Sequence, residues 1–210
     1  MLASFRSDFY LLKSYLKTIW GVFLLLMVFA VIQQSAYMAY FYPVFMSIFL
    51  PLSLFSLSEQ SGWEAMLLSA PVTRSGIVRG RYLLCAAIGG ITVLFGFVGA
   101  LAAERGALDT PLHGLFIALS FELLLGAIVL PVVYRFGPTR ARFVIMAICI
   151  IPALVTPLLM QGLENNQAEV ERLLARLTEL PCLLLFLVLC AALYAVSMAI
   201  SSAIYRRKEF

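Results

Sequence analysis

The sequence predicts an all-α membrane protein of six transmembrane helices, and three observations predict it. The chain is 63% hydrophobic and 12% charged, whereas a soluble domain carries about 25% charged residues. Its mean hydropathy is +1.00. Apolar runs of roughly 20 residues recur, the length that crosses a bilayer. Backbone groups in lipid have no water to bond, so helices are the default. A transmembrane β-barrel would show short alternating segments, and these runs are continuous.

The spans fall near 18–33, 37–57, 82–103, 112–134, 143–161 and 181–204, within a single domain of residues 1–210. Residues 1–17 place Phe5, Phe9, Leu12 and Leu16 at helical spacing, with Arg6, Lys13 and Lys17 on another face. That pattern predicts a helix lying in the inner interface with its cations near anionic headgroups; the plainer alternative is a ragged tail. The first span lacks an obvious small-residue cleavage site and leads into further spans, which argues against a cleaved signal. Gln33-Gln34-Ser35 then implies a very tight outer turn.

In the second span Pro43 and Pro51 should bend or interrupt the helix. Tyr37, Tyr40 and Tyr42 cluster at its outer end, as an aromatic belt would. The third span carries small residues four apart, Ala86/Gly90 and Gly96/Ala100, which permit close helix approach. The fourth holds Glu122, the one acidic residue well inside a predicted span. An intramembrane carboxylate is costly and faces protein or water, so Glu122 is a candidate for the substrate pathway or for proton coupling; the plainer reading is a hydrogen-bonded packing residue. His113 lies nine residues earlier, about 13 Å along one helix, too far for a direct pair. Pro152 and Pro157 should kink the fifth span. In segment 162–180, Asn166 and Glu169 resemble an N-cap with an acidic third residue, and Val170, Leu173, Leu174 and Leu177 form an apolar stripe, predicting a short external helix.

Charge sets the orientation. With the N-terminus inside, the inner segments carry 12 of the 15 Lys and Arg residues and the outer ones only Arg105, Arg172 and Arg176. The positive-inside rule therefore places both termini in the cytoplasm. The pI near 9.0 reflects this topology and requires no nucleic-acid partner. Cys85, Cys149, Cys182 and Cys190 fit neither a zinc site nor a disulfide framework and read as buried thiols.

The inner segment 58–81 is the longest polar interruption in the first two-thirds of the chain. Ser61-Gly62-Trp63-Glu64 has the form of a capping box. Trp63, Met66, Leu67 and Ala70 share a helical face, Pro71 ends that helix, and Thr73 is a candidate N-cap for a second helix starting at Arg74 and running through Ile77, Val78, Arg81 and Tyr82 into the third span. An interfacial helix anchored by Trp63 and snorkelling arginines accounts for the amphipathicity; a docking element accounts also for the cap, proline stop and second cap together.

Glu59, Gly62, Trp63, Leu68, Pro71, Thr73, Arg74, Ile77, Val78, Arg81 and Tyr82 together resemble the cytoplasmic loop of ABC-2 type membrane permeases, in particular the small six-span branch that includes bacterial peptide exporters. The family often has Leu and Lys where this chain has Ala70 and Arg81. The residue-level match covers about 25 positions of the chain, and the rest agrees in architecture. The resemblance implies that this loop is a coupling helix seated in a separate cytosolic ATPase subunit. Glu59, Gly62, Trp63, Glu64, Met66 and Leu67 would then be its docking face, and Pro71, Thr73, Arg74, Arg81 and Tyr82 the lever into the spans. It also implies a bacterial inner-membrane location and a second permease copy, identical or homologous.

No G-x-x-x-x-G-K-[ST] P-loop occurs, so ATP and Mg would belong to the partner subunit. No nucleophile motif or metal-ligand spacing points to an enzyme. The function expected is export of an amphipathic or hydrophobic substrate such as a peptide; the alternative is an ion-coupled carrier using Glu122.

Overall fold

The structure, a computed structural model, describes residues 8, 17, 20–61, 73–163 and 179–207, with the backbone alone at 148, 149, 151–163 and 207. Among these there is no strand. Five helices follow one another: α1 Trp20–Ile32, α2 Ala36–Gln60, α3 Arg74–Ala103, α4 Asp109–Leu163 and α5 Leu180–Arg207. Four of them are long and apolar enough to cross a membrane, and α1 is shorter. The fourth and fifth predicted spans both lie in α4.

A single residue divides α4. Gly137 has φ 75° and ψ 165°, a combination essentially restricted to glycine. Contacts with α2 show that the chain reverses there. Tyr134 packs edge-on against Phe55, Gly137 lies beside Glu59, Arg142 reaches back to Ser56, and Ile145 and Met146 lie beside Phe49 and Ile48. The leg 109–136 thus runs alongside α2 in the same direction, and the leg from 138 returns.

The turns at the opposite end are short, residues 33–35 and 104–108. Gln34 has φ 50°; Gln34 N–H donates to Val31 O and Ser35 N–H to Ala30 O, at 3.1 and 3.2 Å. These bonds form a Schellman closure of α1, which is the tight turn read from Gln33-Gln34-Ser35. Arg105, φ 53°, ends α3 in the same way, with Gly106 N–H on Leu101 O at 3.0 Å.

α2 is continuous through Pro43 and Pro51, so of the expected bend or interruption the prolines make no interruption. Pro43 leaves the carbonyl of Ala39 without its helical donor. α3 meets α2 at this place: a Cβ built on Gly96 would lie 3.0 Å from Ala39 O and 3.2 Å from Pro43 Cγ. Lateral packing therefore holds the helix where its own ladder is broken. The aromatic-belt expectation holds only for exposed Tyr37. Tyr40 is buried and donates to Pro111 O at 2.6 Å, and buried Tyr42 stacks on Phe23 at 5.1 Å. Each ring is amphipathic, and here the polar tip finds protein instead of headgroups.

The two ends of the bundle are packed with different materials. Near Ser35, five alanines (Ala30, Ala36, Ala39, Ala100 and Ala118) pack with Tyr40 and Val93, and the small side chains let helix axes approach closely. Near Gln60, Leu54, Phe55, Tyr82, Leu130, Tyr134 and Tyr205 form a bulky core. Of the small pairs predicted in α3, Gly96/Ala100 lies in a contact, whereas Gly90 faces open space; its neighbour Gly89 makes the close approach. Cys85 and Cys190 are buried as expected, but Cys182, at the start of α5, is exposed.

Candidate functional site

The candidate site is the bulky end of the bundle, where α2 stops and α3 starts. The expected loop from residue 58 begins later: Ser58 and Glu59 belong to the last turn of α2. Ser61 closes that helix, its backbone N–H and its hydroxyl both donating to Leu57 O, at 3.0 and 2.7 Å. Residues 62–72 lie outside the described residues, and with them Gly62, Trp63, Glu64, Met66, Leu67 and Pro71. The external helix expected from Asn166 also lies outside them. On the far side of the gap Thr73 caps α3 as its position predicts. Its side chain accepts from Gly76 N at 3.2 Å, and α3 then runs unbroken for 30 residues.

Arg81, counted among the inner-segment cations and assigned to the lever, is fully buried, on the face that also buries Ile77, Val78 and Cys85. Asp8, Ser58 and Phe55 meet its guanidinium. Nε lies 3.5 Å from Asp8 Oδ2, both side chains being fully buried. Nη2 donates to Ser58 Oγ at 2.9 Å. The guanidinium carbon sits 4.5 Å above the Phe55 ring, a cation–π contact worth about 2 kcal/mol when desolvated. Tyr134 closes the pocket through its edge contacts with Phe55 and Tyr205, at 4.7 and 5.5 Å. One side chain thus joins the start of α3, the end of α2 and the N-terminal segment. Asp8 was not among the residues singled out. The signal for it was available: Asp8 lies three after Phe5 and four before Leu12, inside the apolar stripe. Lys17, by contrast, is exposed as expected.

Tyr82 joins α3 to α5. Its hydroxyl lies 2.9 Å from Ser197 Oγ and 2.7 Å from Ser201 Oγ, and Ser197 donates to Ala127 O at 2.6 Å. Proton accounting then fixes the directions. Ser197 has spent its only proton on Ala127, so Tyr82 donates to Ser197 and accepts from Ser201. Tyr194 donates to Tyr82 O at 2.8 Å. Polar bonds inside a bundle have no water to compete with them, so this network fixes the register of α3 against α4 and α5. Arg74, exposed at the start of α3, reaches the C-terminal end of α5, where Nη1 donates to Arg206 O at 3.2 Å.

Glu122 is buried on α4, and its carboxylate fills the space that a side chain on Gly89 would take. It therefore faces α3 and not the lipid side. His113 stays apart from it, with Nδ1 2.6 Å from Asp109 O in its own helix. Among the described residues no group of three or more His, Cys, Asp or Glu side chains is placed to hold a metal. The exposed arginines Arg74, Arg79, Arg135, Arg140, Arg142 and Arg206 all lie at the Gln60 end, and Arg105 alone among the described arginines lies at the other.

Apolar helices with buried polar links and cations gathered at one end define a multi-pass, all-helical membrane protein. The model of the family described as ABC-2 family transporter protein matches residues 5–206. The chain belongs to this ABC-2 transporter family, as its loop residues lead one to expect. No curated protein matches it.

Proposed function

We infer that this chain is the membrane-spanning permease subunit of an ABC exporter, driven by a separate cytosolic ATP-binding subunit. The family match over residues 5–206 carries the reading. In it, α1, α2, α3, the two legs of α4 and α5 make six spans, the Gln60 end faces the cytoplasm of a bacterial cell, and two permease copies enclose the pathway. Glu59, Gly62, Trp63, Glu64, Met66 and Leu67 form the docking face. Pro71, Thr73, Arg74, Arg81 and Tyr82 carry its movement into the spans. The unbroken helix from Thr73 to the far end supports a lever role, because a rigid element transmits a displacement where a loop would absorb it. Arg81 supports it as well, since motion of α3 must move α2 and the Asp8 segment. The cargo class is an amphipathic or hydrophobic molecule such as a peptide, in keeping with the apolar outward faces.

Co-purification with an ATPase encoded beside the gene tests the reading. The permease alone should hydrolyse no ATP, and Trp63→Ala with Glu64→Ala should abolish permease-stimulated hydrolysis while leaving thermal stability intact. Normal binding and transport by both variants would remove the docking assignment. The burial of Glu122 against Gly89 favours a second reading, an ion-coupled carrier. Transport that survives ATP depletion, collapses with the ion gradient and is lost in Glu122→Gln would select it.

A further inference from the structure

Tyr134 is buried on the first leg of α4, just before the turn at Gly137, and its hydroxyl has no hydrogen-bond partner among the described residues. Leaving a buried hydroxyl unsatisfied is costly, and a phenylalanine would fill the same space without that cost. Packing of the ring therefore does not account for a tyrosine here. The neighbours show what the hydroxyl can do. Phe55 is flanked by Tyr134, edge-on at 4.7 Å, and by the Arg81 guanidinium, 4.5 Å from the ring centre. Two hydroxyls on two different helices thus border the Arg81 pocket. Ser58 on α2 is in use, its Oγ accepting from Arg81 Nη2 at 2.9 Å. Tyr134 on α4 accepts nothing.

A guanidinium carries several donors in a fixed fork, and a phenol oxygen can accept from it. Arg81 rides on α3, so sliding α3 against α2 draws the guanidinium off Ser58. With one acceptor alone, that movement would strand a charged donor inside the bundle. An acceptor on α4 gives the side chain a second arrangement of similar energy, because one charge-assisted bond replaces another. Packed helices move between discrete arrangements of this kind. We propose that Tyr134 is a second seat for Arg81: the guanidinium passes from Ser58 to the Tyr134 hydroxyl, releasing the end of α2 and fastening α3 to the first leg of α4. Use of that motion by an ATPase belongs to the function proposed above. The second seat does not rest on it, and the permease alone reports it.

A double-mutant cycle on Ser58 and Tyr134, read as melting midpoints of the purified full chain, tests this. Tyr134→Phe alone should leave the midpoint unchanged or raise it, because the hydroxyl it removes is idle in this arrangement. Ser58→Ala alone should cost little, because Arg81 falls back on Tyr134. The double variant should melt about 3–12 °C below the sum of the singles, the weight of one hydrogen bond to a charged group in a chain of this size. Ser58→Thr keeps the hydroxyl, so its combination with Tyr134→Phe should show no such excess. The excess should also vanish when the cycle is carried out on Arg81→Met, because the coupling runs through the guanidinium. The proposal is overturned if Tyr134→Phe lowers the midpoint as far alone as beside Ser58→Ala, if the two changes simply add, or if the excess persists without Arg81.

Discussion

Replacing Arg81 by methionine should be the most damaging single change at the bulky end of the bundle. The variant keeps the volume but leaves the fully buried Asp8 without its arginine. Breaking a buried pair from one side costs about 3–5 kcal/mol. A second route gives a similar figure: the carboxyl can escape by taking a proton, which from the ordinary aspartate value costs about 4 kcal/mol at pH 7. For a chain of this size, each kcal/mol moves the melting midpoint by about 2–4 °C, so a loss of roughly 10 °C is expected for the purified protein. The double variant Asp8→Leu/Arg81→Met should recover most of it, because neither charge of the buried pair remains. A midpoint within about 2 °C of wild type for Arg81→Met, or a double variant as unstable as the sum of the singles, would refute the reasoning.

Three further changes have defined outcomes. Thr73→Ala removes the cap of α3 and should cost about 1 kcal/mol, with Thr73→Ser restoring it; melting curves check both. Tyr82→Phe leaves the Ser201 hydroxyl without its acceptor and the Ser197 oxygen without its donor, and a loss of about 1–3 kcal/mol is expected by the same measurement, while Tyr194 keeps its bond to the main chain. Gln34→Gly should raise the melting midpoint, because it relieves a left-handed conformation that costs a side-chain-bearing residue about 1–2 kcal/mol; an unchanged or lowered midpoint would contradict the strain assigned to that turn.

Hydropathy made the helices legible, since length and apolarity are what a bilayer selects. Thr73 was legible because capping is local chemistry that a few residues specify. Arg81 and Asp8 were not, although both signals were present. A cation near a helix start reads as a surface charge until it is set among Ile77, Val78 and Cys85, and Asp8 reads as a tail residue until its place in the apolar stripe is noticed. Which glycine makes a contact was likewise hidden: Gly89 and Gly90 differ by about 100° around α3, and only the positions of α4 and Glu122 decide between them. The prolines were legible only as a bend or an interruption; α2 runs on through both, and at Pro43 the neighbouring Gly96 packs beside the freed carbonyl.

The single-residue reversal at Gly137 bears on where the chain can be opened. Its two legs turn at one glycine inside a single helical element, with the exposed Arg135, Arg140 and Arg142 beside the turn and no separate loop between the legs. An epitope tag or protease site placed there would pry apart the contacts of α2 with both legs at the Gln60 end. Topology mapping of this chain should therefore place its reporters elsewhere, and chimeras should exchange the hairpin whole.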